Sequence, residues 1–310
     1  MSLYAKRLIL AAIGSNPYPT DPEPTASDNA VLARNIQFQP FQGATATLDY
    51  DRPTLGAGKQ YYTGPHGRLT FEVDLSGSGE AGTAPAWGPL LQMCGFAETV
   101  TAETDVVYSL LSTGFEWGSI YFNHDGELHK LLGCRGTVSF TLNKGGMPSM
   151  AFEFWGLWDQ TPTSAAVGTP DFSAFIDPVP VNEANTPTFT LDSYAAKCEA
   201  FSIDAGWDVQ YRNVINDEHV RIVDRETTGQ ATIEKPALSD KDFYALVRGH
   251  SVVAGQLVHG TTAGNIITFD VKAQLLMGAD SNSQGLSVFP LDLRCIPTDA
   301  GDDELTITLT

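Results

Sequence analysis

The sequence predicts a mainly β protein: two tandem antiparallel β-sandwich or barrel units, each with one short flanking α-helix. Three observations support that class. Apolar and polar residues alternate with a period of two, the spacing of a strand with one buried face. Gly, Pro and Asp-Gly break these runs at short intervals, as turns between antiparallel strands require. One plan, a strand followed by a short helix that ends at glycine, occurs in both halves.

The clearest copy is Arg68–Gly95. In Arg68–Leu75, apolar Leu69, Phe71, Val73 and Leu75 alternate with polar Thr70, Glu72 and Asp74. Ser76–Ala84 turns the chain, and Pro85–Met93 reads as a helix stopped by Gly95, which can take a left-handed conformation without strain. In the second half Gln230–Glu234 is the strand and Ser239–Arg248 the helix, stopped by Gly249. Ser239 is the expected N-cap, with acids in the first turn where they suit the helix dipole.

Taken in order, Met1–Ile13 reads as a strand or arm. Lys6 and Arg7 precede an apolar run too short for a signal peptide, and no small-x-small cleavage site follows. Asn16–Ser27 is proline-rich and therefore extended. Ile36–Phe41 and Ala44–Leu48 alternate about Gln42-Gly43. Asp49–His66 reads as a long loop with five glycine or proline breakers, and unstructured loops of that length are usually functional. Val106–Leu110 is a strand. Ser119–Asn123 and Glu127–Leu132 form a hairpin about Asp125-Gly126, and Thr137–Asn143 pairs with Ser149–Trp155 across Lys144-Gly145-Gly146.

Asp159–Pro187 holds five prolines and little periodicity, so it reads as a linker, with Phe172, Phe175 and Ile176 packing along a surface. Beyond it the order repeats. Ala200–Asp204 and Val209–Asn213 flank Ala205-Gly206; helix and glycine follow; then come Gln256–His259, Asn265–Lys272, Leu286–Leu293 and a last strand, Leu305–Leu309. The division expected is a first unit over residues 1–160, a Pro-rich linker over 161–193 and a second unit over 194–310.

Composition limits the function. The 310 residues suffice for two cores, and no apolar run approaches the ~18 residues of a membrane span. The formal net charge of −19 is shared by both halves, and an acidic surface repels phosphate backbones and anionic lipid. Cys94, Cys134, Cys198 and Cys295 stand singly and read as buried thiols.

Enzymatic motifs are weak. Gly77-Ser78-Gly79-Glu80-Ala81-Gly82 matches GxGxxG, but a dinucleotide site needs a crossover to a parallel strand, and Asp-Gly hairpins follow instead. His124 and His129 straddle a turn without a third metal ligand and read as solvated. Asp299, Asp302, Asp303 and Glu304 lack the EF-hand spacing and read as an exposed acidic turn. No GxSxG, HExxH or GxxxxGK[ST] occurs. Trp87, Trp117, Trp155, Trp158 and Trp207 read as core and interface residues. Neither a catalytic residue nor a cofactor or metal is expected.

Several pieces together resemble a known family. Asp51-Arg52-Pro53-Thr54-Leu55-Gly56, Phe71-Glu72-Val73 with Gly77-Ser78-Gly79, and Ala84-Pro85-Ala86-Trp87-Gly88-Pro89-Leu90-Leu91 with Cys94-Gly95 are similar to the tail tube (major tail) proteins of long-tailed bacteriophages. Val258-His259-Gly260-Thr261-Thr262-Ala263-Gly264-Asn265 and Asp302-Asp303-Glu304-Leu305-Thr306 add to the resemblance, which spans nearly the whole chain. It implies two tail-tube-like domains, stacked rings forming a hollow tube for DNA that is not specifically bound, and a place in the virion tail after assembly in the host cytoplasm. It also implies partners: other copies of the chain, three to a pseudo-sixfold ring, together with tape measure, tail terminator and distal tail proteins. The loop Asp49–His66 would reach the neighbouring ring, with Arg52, Pro53, Leu55, Lys59, Tyr61 and Tyr62 as contacts, since Arg and Tyr are favoured interface anchors. A single-domain tube pattern would not contain the duplication. A soluble β-sandwich binding module is the alternative, and a nucleotide-dependent enzyme the third class.

Overall fold

The computed structural model describes residues 3, 5–159 and 161–310. Residues 1, 2 and 4 of the expected N-terminal arm, and residue 160 at the expected domain boundary, lie outside the described residues. Strands take 52% of the chain and helix 4%. The first half contains β1 (Arg7–Ile13), β2 (Ala30–Val31), β3 (Arg34–Thr47), β4 (Gln60–Asp74), α1 (Gly88–Met93), β5 (Phe96–Thr101), β6 (Asp105–Leu110), β7 (Gly118–His124), β8 (Glu127–Asn143), β9 (Ser149–Trp158) and β10 (Thr163–Ser164). The second contains β11 (Thr188–Leu191), β12 (Tyr194–Ala195), β13 (Cys198–Asp204), β14 (Trp207–Val214), β15 (Asp217–Arg225), β16 (Thr228–Glu234), α2 (Phe243–Arg248), β17 (Val252–His259), β18 (Ile267–Met277), β19 (Ser281–Ser283), β20 (Leu286–Cys295) and β21 (Leu305–Leu309).

One pairing order occurs twice. In the first half it runs β2–β1–β7–β8–β9–β4–β3, and in the second β12–β11–β17–β18–β20–β16–β13, with every pair antiparallel. The β5–β6 hairpin is extra to the first half. The sheets are open rather than closed into a barrel, and the sandwich form of the expected fold class is the one the chain adopts.

Two ladders join the halves. In one layer β8 pairs with β13, Phe140 opposite Ile203 and Leu142 opposite Phe201. In the other, the added β6 pairs with β21, Tyr108 opposite Ile307. One face therefore presents a continuous run, β3-β4-β9-β8-β13-β16-β20, with β18 and β19 beyond β20. Beneath it lies one contiguous core containing residues of both halves. Phe140 meets Phe269 edge to face at 5.2 Å, and Phe269 lies 6.0 Å from Phe201. All three rings are buried, and burying a Phe stabilises by about 1.5–3 kcal/mol.

Several local expectations need correction. The first helix starts at Gly88 rather than Pro85, because Pro89 sits within its first two positions and the preceding residues form turns. The second starts at Phe243, capped by Asp242 rather than Ser239: the Asp242 carboxylate accepts from the Ala245 amide. Gly95 is left-handed (φ 76°), as expected, but Gly249 is right-handed and His250 takes the positive φ. Asp49–His66 is not all loop, since Gln60–His66 is already strand and pairs back along β3 as far as Thr47.

Phe269→Ala should cost about 3–5 kcal/mol, the usual loss for a buried ring. Because the Phe269 side chain contacts both halves, calorimetry should show one transition displaced as a whole, rather than one of two peaks.

Candidate assembly interface

The sequence-predicted contact residues lie on an arm that projects from the body. Arg52, Pro53 and Leu55 lie exposed in the 48–59 tip, and Leu55 is fully exposed. Lys59 closes the tip, its carbonyl accepting from the Leu48 amide at 2.8 Å. Tyr61 and Tyr62 are on β4, opposite Ala46 and Thr45. Successive strand residues face opposite ways, so the two tyrosines lie on different faces of the arm. Tyr62 stacks on Phe41 (5.2 Å), and Phe41 stands edge-on to Trp158 (4.7 Å). The arm kinks where β3 and β4 lose register between Gln39 and Ala44.

A second arm was not anticipated. Val209–Asn213 is a strand as expected, but Asp217–Arg225 returns beside it, so β14 and β15 form their own hairpin. It continues β13 and β16 as the 42–63 arm continues β3 and β4. The available signals were Val220 and Ile222 spaced by two, and Asn216, which tolerates the positive φ (70°) of the turn. Charged neighbours obscured them.

Unlike the first arm, this one lies against the other half of its own chain. Tyr211 stacks on His66 at 4.1 Å. The Val220 carbonyl accepts from Arg135 (2.7 Å), and its amide donates to the Tyr18 hydroxyl (2.9 Å). Burial pushes the Tyr18 phenol up to about 12. Trp207 meets Phe115 edge to face at 5.5 Å, with the Arg225 guanidinium 4.8 Å above its ring. Val209, Val220 and Ile222 are buried as a result.

Of the acidic run before β21, expected to be solvated, Asp299 is exposed, but Asp302 and Glu304 fasten this arm. Arg225 contacts Glu304 (2.5 Å) and Asp302 (3.0 Å) and donates to the Leu111 carbonyl beyond β6 (2.9 Å). Asp303 pairs with Lys272 at 2.5 Å. Glu304 is buried, so its charge depends on Arg225 for compensation. The glycine-rich loop is a crossing point rather than a phosphate cradle. The Gly77 amide donates to the Asn265 side chain (2.6 Å) and the Gly79 amide to the Gly264 carbonyl (2.9 Å). A Cβ on Gly77 would stand 2.1 Å from the Gly264 carbonyl oxygen, so the two backbones can approach this closely only without side chains.

His129 is also not solvated. It lies among Phe38 (4.8 Å), Phe122 and Trp158, and burial lowers its pKa. All four cysteines are free thiols, three of them buried.

The long sheet has a polar outer face, dished where the halves meet and lined there by Ser139, Thr141, Ser202, Asp204, Thr228 and Asp292. Three of its arginines pair with carboxylates, while Arg135 donates to backbone carbonyls under the second arm. Arg34 contacts Glu72 (3.0 Å) and Asp74 (2.5 Å), Arg68 contacts Glu153 (2.6 Å) and Arg294 contacts Glu226 (2.9 Å). Asp204 and Asp292 instead accept from the Gly206 amide and the Gln230 side chain. Arg34, Arg68 and Arg294 are thus neutralised, and Asp204 and Asp292 remain.

No helix among the described residues is long and apolar enough to cross a membrane. A family model described as phage tail tube protein matches residues 10–310. No curated protein matches the chain.

Arg225→Met should destabilise by about 3–5 kcal/mol, because it strands a buried carboxylate, and adding Glu304→Leu should recover most of that loss in denaturant titrations. A pH effect follows as well. The Lys272 ammonium and the Thr298 side chain and amide hold the Asp303 carboxyl far below its usual range. Burial works to raise Asp302, but the Ser112 hydroxyl and Arg225 outweigh it and the net shift is downward. Groups depressed by folding stabilise above their unfolded pKa, near ~3.9, and lose that contribution as pH falls through the folded value. The melting temperature should therefore drop below about pH 4, and Lys272→Met should flatten that drop.

Proposed function

This chain belongs to the phage tail tube protein family, and we propose that it builds the hollow tube from stacked rings of three chains. As a structural component of the virion tail, it needs surfaces that join copies rather than a catalytic centre. Each half, 1–160 and 194–310 with 161–193 between them, acts as one tube unit, so three chains supply six. The carrying observation is the edge-to-edge union of the halves, with β3 left unpaired on its far side among the described residues at one end of the sheet and the β18–β19 region at the other. Head-to-tail contacts of that kind close into a ring when the rotation per unit divides a full turn.

The polar face turns toward the channel in this reading. Its paired arginines and surplus carboxylates favour DNA that slides without adhering, since free cations would bind phosphates. The 48–59 tip reaches the next ring, with Arg52, Pro53, Leu55, Lys59, Tyr61 and Tyr62 as contacts. Tape measure, tail terminator and distal tail proteins are the further partners, assembly takes place in the host cytoplasm, and no cofactor or enzymatic step is involved.

The rival is a ring of six chains with the second halves on the outside. Native mass measurement of isolated rings decides: three copies of the 33.3 kDa chain, about 100 kDa, are expected, and six would overturn the reading. Leu55→Asp should leave the melting temperature within about 2 °C, because an exposed substitution shifts stability by no more than ~0.5 kcal/mol. The same change should abolish tubes in electron micrographs while rings persist; unimpaired tubes would remove the tip from the contact.

A further inference from the structure

The chain contains a template for its own assembly. At the intrachain junction the edge of β13 pairs with the end of β8 that extends past β7, and the β14–β15 arm lies over β8 and β9. Each part has a counterpart left open at the chain's other end. β3 corresponds to β13, and no strand among the described residues pairs with its outer side. β18 and β19 together correspond to β8, and they likewise extend past the start of β17, where Val252 faces Gln274.

The arms differ in a way that points to what is missing. On the β14–β15 arm Val209, Val220 and Ile222 are buried on the side that meets the first half, and Val214, Ile215 and Val223 are exposed; on the first arm Phe41, Tyr61 and Tyr62 are each about half exposed. We propose that a second copy of the chain covers them. Its second half receives β3 and the 42–63 arm as the first half receives β13 and β14–β15 within one chain. This deepens the ring reading and rests on it.

Internal correspondence fixes the register. Ser202 faces Gln230, which faces Asp292; Gln37 faces Thr70, which faces Glu153. Gln37 is therefore the counterpart of Ser202, whose other neighbour is Thr141. Thr141 faces Ser149, which closes the β4–β9 ladder opposite Asp74. Val288 closes the matching ladder opposite Glu234, and it faces Ser281. Gln37 of one copy thus lies opposite Ser281 of the other, both side chains on the polar face. The Arg7 guanidinium holds the Ile36 carbonyl at 2.6 Å, so the added ladder runs through Gln37–Gln39. On the receiving copy the Ser283 hydroxyl donates to Glu199 at 2.9 Å, which fixes the β19–β20 tip.

The test uses full-length chain carrying Gln37→Cys and Ser281→Cys, oxidised after ring assembly and run on non-reducing gels. Directly opposed residues lie within disulfide reach. A covalent trimer of about 100 kDa is expected, at least tenfold more abundant than from Gln37→Cys with Asn282→Cys, whose thiols face opposite ways. Rings that form without this cross-link would overturn the junction and leave the ring reading standing; absence of rings from the unmodified chain would defeat both. Hydrogen exchange on the unmodified chain gives an independent measure. Amides of residues 37–39 and 278–282 should slow at least tenfold on assembly, and unchanged rates would also overturn the junction.

Discussion

The structure depends on strand edges finding partners. An open antiparallel sheet exposes a row of unpaired amides and carbonyls at each end, and proteins usually cover or blunt such edges. Here the halves cover one edge of each other, through β8 with β13 and through β6 with β21. The shared core follows from this, because aligned edges bring Phe140 over Phe269 and Phe201. Burial of Glu304 follows too, since the carboxylate is tolerable only where Arg225 reaches it from the second arm.

Acidity opposes unspecific association. A chain of net charge −19 is self-repelling, and repulsion works against any association that is not specific. The cations that remain sit where geometry needs them: Arg225 and Lys272 around the strand that joins the halves, Arg34 and Arg68 beside carboxylates on the polar face. Between the halves, apolar burial and backbone pairing supply the adhesion, and ion pairs fix which groups meet.

The elements were legible because period two is a local property. Leu69, Phe71 and Val73 mark a buried face without knowledge of their partner, and Asp125-Gly126 and Gly95 name their own backbone conformations. Partners across long separations were not legible. Nothing near Asp105–Leu110 indicates that it will lie beside Leu305–Leu309, since alternation specifies a face and not a neighbour. The same limit misplaced His129 and the 302–304 acids, which are polar residues in turn-like sequence that tertiary contacts happen to enclose. Of the candidate contacts, the tip was readable from its Gly and Pro content. The second arm was not, because Asp217, Glu218, Arg221, Asp224 and Arg225 mask the short apolar alternation that makes it a strand.

The β5–β6 hairpin has a mechanical consequence. It adds a second ladder to the joint between halves, and the second half has no matching hairpin among its described residues. A ring of three such chains would alternate stiff and compliant joints, three of each. Stacked into a cylinder, the compliant joints would trace seams along its wall, and bending or flattening would be taken up there first. Such a tube would flex by hinging at defined lines, while rigid staves between them would keep the bore open.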